Sequence, residues 1–321
     1  MGNLPNARIE QGYPFVRCGV DYGGPLFILN RKGRGAKLEK CYIYLFVCFI
    51  TRAIHLELVT SLTSEAYLLA LKRFISRRGK PAEIFSDNGK NFVGAEKEFS
   101  KFFDNSKYDI LNFTANDSIK FSFIPPYSPH FGGLWEAGVR SCKYHIRRVV
   151  GNANLTYEEL STVLTQIEAV LNSRPITPMS TDPNDLLPLS PAHFLIGRPF
   201  TAPARPDITA TTIQRLPRYD RVEQMRQHFW KRWSKEYIAE LQKRTKWQTN
   251  TDTITPNSLV LIKEDNLPPL KWRLGRVLRT HTGKDGLSRV ATIKTETGEI
   301  LRTFPRICPL PVLTDDQRCF N

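Results

Sequence analysis

The stretch VRCGVDYGGPLFIL, residues 16–29, is apolar on both sides of a Gly and Asp interruption, as a strand carrying Asp21 within its span would be. An aspartate inside an apolar strand is expensive unless it is paired or coordinated. Downstream, the Gly and Lys-rich turn NRKGRGAKLEK (30–40) leads to a long strand at 41–50. Its core YIYLFVCFI is nine apolar residues, far short of the roughly 20 that span a bilayer. AIHLELVT (53–60) alternates as a third strand should. Three consecutive strands joined by short turns make an antiparallel meander.

Helical periodicity takes over next. In TSEAYLLALKRFISRRG (63–79), Tyr67, Ala70, Leu71 and Phe74 follow the i, i+3, i+4, i+7 rule, and Gly79 with Pro81 closes the helix. AEIFSDNG (82–89) is a short strand running into Asp87; a helix is expected over about 90–103, and IKFSFIPP (119–126) is a strand stopped by two prolines. Residues 133–150 read as a helix ending at Gly151. Thr156 and Glu159 form a capping box ahead of a face made by Leu160, Val163, Leu164, Ile167 and Leu171. The order of elements predicts an α/β layer with a mixed sheet and flanking helices.

Composition sets the partner class. Of 321 residues, 46 are Lys or Arg and 31 Asp or Glu, a formal charge of +15 and a pI near 9.6. That excess favours a polyanion, with nucleic acid first; an anionic membrane surface would also fit charge alone, but the partner expected is DNA, with neither a membrane nor a small-molecule substrate. No basic-then-apolar leader opens the sequence, so secretion is not expected and the sequons at Asn112, Asn116 and Asn154 are idle. The six cysteines are scattered singly, without CxxC pairs or matching His spacing, which argues against a zinc module or a disulfide framework.

Three acids stand out: Asp21 within the first strand, Asp87 at the end of the fourth, and Glu136 near the start of the late helix. Strand ends and helix starts on one sheet edge can converge on a point. Alone, each reads as a turn or cap. Together they suit hard divalent cations, since two ions about 3.5–4 Å apart can clamp the attacking and leaving oxygens of a phosphodiester.

The blocks GVDYGGPL, IFSDNGKNFVG and IPPYSPHFGGLWEAGVRSCK (124–143) resemble the three catalytic blocks of retroviral and retrotransposon integrases. The likeness to BEL/Pao long-terminal-repeat retrotransposon integrases extends through LNSRPIT and LSPAHFLIGRP (189–199). It implies an RNase H-like fold and makes Asp21, Asp87 and Glu136 the catalytic metal ligands, holding Mg²⁺ or Mn²⁺, two ions per site when DNA is bound. It also implies 3′-end processing and strand transfer without a covalent enzyme intermediate, with Tyr127, Gly132 and Gly133 touching the DNA end. Homo-oligomers and action in the nucleus follow from the same likeness. Arg140, Lys143 and Arg147 recur at i+4, i+7 and i+11 from Glu136, so they share its face and could grip phosphates.

Beyond a Pro-containing linker at 200–209 the basic excess is denser. A helix over about 219–247 carries Val222, Met225, Phe229, Trp233 and Leu241 on one stripe, read as a packing face. From Pro256, SLVLIKE, RLGRVLRTHTG, RVATIKTETG and ILRTFPRI are short strands split by turn signals. They suggest a small barrel resembling the SH3-like C-terminal domain of the same integrases, with Lys271, Arg273, Arg276 and Arg279 as sequence-independent DNA contacts. The expected layout is a catalytic core at 1–200, a helical linker at 201–255, the barrel at 256–313 and a tail at 314–321.

Other signals point nowhere. GRG at 33–35 lacks the Gly-Lys-Ser/Thr ending of a phosphate loop. His55-x-Glu57 has no Pro-Cys-x-x-Cys downstream for a zinc deaminase, and His130 and His193 read as structural. Family integrases begin with a His2Cys2 zinc-binding domain that nothing upstream of Arg8 supplies; a polyprotein piece or a truncated copy is therefore expected. Asp87 and Glu136 are separated by 48 residues, more than in the retroviral enzymes. The alternatives are a non-catalytic DNA-binding remnant and a hybrid-cleaving ribonuclease; the helical Glu after a flexible loop disfavours the second.

Overall fold

The structure, a computed structural model, describes residues 12–86, 119–123, 133–151, 153–248, 254–284 and 288–311, with the backbone alone at 123, 133–138 and 243–248. The chain divides into two units. The first is Met1–Leu171 with Ile213–Met225, the second Asn172–Thr212 with Arg226–Asn321, a division that cuts across the sequence boundaries at 200 and 255.

In the first unit a five-stranded sheet runs in the order β3-β2-β1-β4-β5. Its strands are β1 (Arg17–Leu29), β2 (Leu38–Cys48), β3 (Ile54–Val59), β4 (Glu83–Ser86) and β5 (Lys120–Phe123). The first three pair antiparallel, as the meander predicts, while β4 lies parallel to both β1 and β5. The sheet is therefore mixed. Burial of β2 from Ile43 to Cys48 explains its unbroken apolar run, because a strand covered on both faces has no reason to alternate.

Helix α1 (Ser64–Arg78) covers this sheet. Thr63 caps it by accepting the Ala66 N–H at 3.2 Å, and Gly79 ends it at φ 89°. Its stripe of Tyr67, Ala70, Leu71 and Phe74 is fully buried, with Phe74 stacked on Phe46 at 4.2 Å. Two further helices follow, α2 (Gly133–Val150) and α3 (Tyr157–Asn172). The five apolar residues expected on the face of α3 are all buried, and the Glu159 carboxylate accepts the Thr156 N–H at 2.9 Å. Arg218 also reaches Glu159, at 2.7 Å, and this pairing lowers the carboxyl to about 2.

Strand β3 departs from its sequence pattern. The alternation predicts His55 and Glu57 on a solvent face, yet they are 1% and 4% exposed. Partners from α1 and α3 make this burial possible. His55 Nε2 lies 3.0 Å from Glu57 Oε1 and Nδ1 lies 3.2 Å from Glu168 Oε2. Arg73 and Arg77 reach the Glu57 carboxylate at 2.6 and 3.1 Å, and Arg78 pairs with Glu168. Glu168 additionally accepts the Leu56 N–H at 2.9 Å. Burial opposes the charge on His55, but its hydrogen bonds to Glu168 and Glu57 outweigh that, and the imidazole titrates above its ordinary 6.5. Burial likewise opposes the Glu57 carboxylate, and the bonds from His55 and Arg73 leave it below 4.5.

In the second unit a short helix α4 (Pro191–Ile196) is closed by Gly197 at φ 73°, and His193 Nδ1 accepts the Ser190 N–H at 3.0 Å, the structural role expected of it. The long helix α5 (Arg218–Gln248), which starts in the first unit and belongs to the second from Arg226, buries all five residues of its expected stripe. Phe229 and Trp233 stack at 6.2 Å, and Trp272 meets Trp230 edge-on at 4.7 Å, so the aromatics pack and are not free for bases. A two-residue pair, β6 (Thr177–Pro178) with β7 (Pro188–Leu189), precedes a five-stranded antiparallel sheet. That sheet holds β8 (Leu259–Ile262), β9 (Leu274–Thr282), β10 (Ser288–Thr295), β11 (Gly298–Thr303) and β12 (Ile307–Pro309), in the order β11-β10-β9-β8-β12.

Strand β8 is a partition between two cores. Leu259 and Leu261 join Ile238 and Leu241 of α5, whereas Val260 and Ile262 join Val277, Ala291 and Ile293. Gly275 on β9 leaves no room for a side chain, since a Cβ there would stand 2.4 Å from Ile293 Cγ2 and 2.7 Å from the Lys294 carbonyl. Gly275→Ala is expected to lower stability by about 1–3 kcal/mol through overpacking. A shift in the denaturation midpoint at constant slope checks this.

Candidate active site

The functional acids begin with Asp21 in the middle of the first sheet. Strand β1 is flanked by β2, whose Leu45 lies opposite Asp21, and by β4. The carboxylate is only partly sheltered, with 27% of the side chain exposed. Oδ1 accepts the Tyr22 N–H at 2.6 Å and Oδ2 accepts Lys143 Nζ at 2.7 Å. Lys143 comes from α2, and its chain runs over Gly23, where an added Cβ would approach its Cγ at 3.2 Å. The glycine after Asp21 thus provides the space through which the lysine reaches the strand.

Two other features point at the same place. On the β4 side, Arg17 faces Glu83, Cys18 faces Ile84 and Gly19 faces Phe85. The described strand ends at Ser86, and Asp87 lies outside the described residues. On the helix side, residue 136 precedes Lys143 by two turns, about 10 Å along the axis at 1.5 Å per residue. Residues 133 and 136 both belong to α2; the Glu136 side chain, Tyr127, Gly132 and His130 lie outside what is described. The helix expected over 90–103 and the tail at 314–321 do so as well. Among the described residues, no group of three His, Cys, Asp or Glu side chains is placed to hold a metal.

The basic positions separate into distinct roles. Arg140 and Arg147 are exposed on α2, while Lys143 is committed to Asp21. In the second unit Lys271 and Arg279 are exposed. Arg273 holds Glu264 at 2.5 Å. Arg276 corrects the sequence expectation: it is 4% exposed and spends its guanidinium on the carbonyls of Asp185, Asn257 and Ser180 at 3.1, 2.9 and 2.8 Å. It fastens loops to β9 and has no surface to offer DNA. The expectation came from the likeness to an SH3-like domain; nothing local reveals three carbonyls waiting for it.

Asp21 thus lies on the central strand of a mixed α/β sheet and is paired with a lysine from helix α2. In the family comparison, residues 20–129 match the integrase core domain. Residues 217–310 match a family of unknown function, DUF5641. No curated protein matches. Among solved structures, the chain is similar to the simian T-cell lymphotropic virus intasome bound to the PP2A regulatory subunit B56 gamma, at 13% identity and TM-score 0.40 over 98% of this chain and 85% of that one. It is also similar to the HTLV-2 integrase catalytic core domain with magnesium in its dimeric form, at 21% identity and TM-score 0.33 over 50% and 88% of the two chains.

Proposed function

We propose that the protein is a metal-dependent DNA strand transferase of the BEL/Pao retrotransposon-integrase kind, which trims 3′ ends and joins them to target DNA. The observation that carries this reading is Asp21, a partly exposed carboxylate on the central strand of a matched integrase core domain. The strand beside it, β4, runs parallel to β1 and is described as far as Ser86. Helix α2, which includes position 136, is tied to Asp21 through Lys143.

The donor set suits a hard divalent ion: Asp21 offers carboxylate oxygen, partly open to solvent, at a place where a positive charge already sits. Asp21, Asp87 and Glu136 would hold Mg²⁺ or Mn²⁺, two ions with DNA bound. Such ions, when bound, supply Lewis acidity to the attacking and leaving oxygens of the phosphodiester. The protein's own part is to position and to shield. Arg140 and Arg147 are available for phosphates, Tyr127, Gly132 and Gly133 would frame the DNA end, and Lys271 and Arg279 would hold duplex away from the chemistry. In this reading the second sheet works as an SH3-like module, the chain acts as a homo-oligomer holding two DNA ends, and the site of action is the nucleus.

The test is joining of a processed DNA end to target DNA with Mg²⁺ or Mn²⁺; no metal-dependent nicking or joining by the intact chain would instead mean a non-catalytic DNA-binding remnant. Lys143 adds a second measurement. Its ammonium occupies the oxygen a metal would use, so Lys143→Met is expected to tighten Mn²⁺ binding by the DNA-free chain up to about fivefold, the ~1 kcal/mol of a partly exposed ion pair. Calorimetric titration giving an unchanged affinity would show that ammonium and metal do not compete.

A further inference from the structure

On the second unit, α5 turns a cationic stripe outward. His228, Lys231, Arg232 and Lys235 recur at i, i+3, i+4 and i+7 and so share one face. With Thr209 and Ala210 they line an open hollow of about 470 Å³. The two lysines and the arginine are exposed and the histidine is half-buried. Lys235 pairs with Asp265 at 2.6 Å, but Lys231 and Arg232 have no ion-pair partner among the described residues. The acid beside them, Asp207, accepts the N–H and the hydroxyl of Thr209 through Oδ1 at 2.9 and 2.7 Å, and its charge offsets Lys231 and His228 in part. Burial, then Arg232 and Lys231, hold His228 below its ordinary 6.5, a sign of the positive field at this spot.

Four cationic or titratable side chains against two nearby acids, Asp207 and Asp265, leave an excess of positive charge around the hollow, which makes a site for an anion. We propose that this hollow binds the phosphodiester backbone of duplex DNA, with Lys231 and Arg232 contacting phosphates and His228 and Lys235 flanking them. The choice of DNA as the partner rests on the reading above and gives it a contact surface within the segment that matches DUF5641. Dimensions support it: seven residues of helix extend about 10 Å, and phosphates succeed one another about every 3.4 Å along one strand of a duplex, so about three fall within reach. A lipid surface fits less well, because Phe229, Trp230 and Trp233 are buried and give this stretch of helix no apolar edge to insert.

The experiment measures polarisation of a fluorescent duplex with the full chain across a salt series. Each lost phosphate contact lowers the slope of log affinity against log salt by about 0.9. Lys231→Gln with Arg232→Gln is therefore expected to flatten the slope by about 1.8 and to weaken binding about thirtyfold at 0.15 M salt, relative to a 1 M reference. Circular dichroism verifies that the variant is folded. An unchanged slope overturns the proposal, and so does an equal change in Lys37→Gln with Lys40→Gln, two exposed lysines removed from the first unit. Phosphatidylserine vesicles are the second probe: loss of vesicle binding with duplex binding intact would assign the hollow to membranes and overturn it too. If joining fails in the unaltered chain while the slope responds as stated, the transferase reading falls and this one stands; joining that proceeds with an unresponsive slope gives the reverse.

Discussion

Asp21→Asn is expected to abolish metal-dependent joining, by at least about 10³-fold, the ~4 kcal/mol scale on which metal ligation contributes to such barriers, while DNA affinity is undiminished. The substitution removes charge without removing shape. An asparagine keeps an Oδ1 for the Tyr22 N–H, now held at 2.6 Å, so β1 retains its local geometry. What it loses is the anion that balances Lys143 at 2.7 Å and that would balance a divalent ion. Lys143 then becomes free to meet a phosphate, which is why binding is preserved. Asp87→Asn is expected to give the same phenotype. Joining by either variant at the unaltered rate, in a quantitative end-joining assay with Mg²⁺, would refute the catalytic reading.

Glu57→Gln is expected to cost about 3–5 kcal/mol of folding stability, since it breaks a buried ionic network by removing one partner. Glu57 is the acid shared by His55, Arg73 and Arg77, at 3.0, 2.6 and 3.1 Å. Neutralised, it leaves an imidazolium that is 1% exposed with Glu168 as its remaining carboxylate. The network also gives a signature in pH. His55 titrates above 6.5 when folded, so its stabilisation is full below about that pH and is lost as pH rises through the folded value. Glu57 titrates below 4.5, so its stabilisation is present above that and is lost as pH falls through the folded value. The network therefore contributes most between about 4.5 and 6.5, and in Glu57→Gln the alkaline decline should shrink. Denaturant titrations across pH measure both effects; a loss under about 1 kcal/mol would mean that the network is not a net stabiliser.

Much of this molecule is written locally. The apolar spacing of α1 and α3 follows from a period of 3.6 residues, and the unbroken run of β2 and the apolar stretches on either side of Asp21 mark strands. Burial bears out the helices and β2, and β1 at Arg17–Leu29 holds Asp21. The three-strand meander was legible because its turns are short. The parallel placement of β4 beside β1 was not, as nothing in a short apolar strand specifies which neighbour it joins.

Polar side chains mark where local reading stops. Asp21 could be recognised as costly from sequence, but its partner is 122 residues away, on helix α2. His55 and Glu57 look solvent-facing by alternation and are buried because Glu168, over a hundred residues on, and the α1 arginines close around them. Arg276 looks like a surface cation and is enclosed by three carbonyls. Sequence alone determined α1, α2, α3, α5 and the strands β1 to β5, together with an acid set inside an apolar strand. Tertiary structure decided which charge answers which, because the free energy of a charged group depends on what surrounds it in space, and that is set by chain segments its own periodicity cannot see.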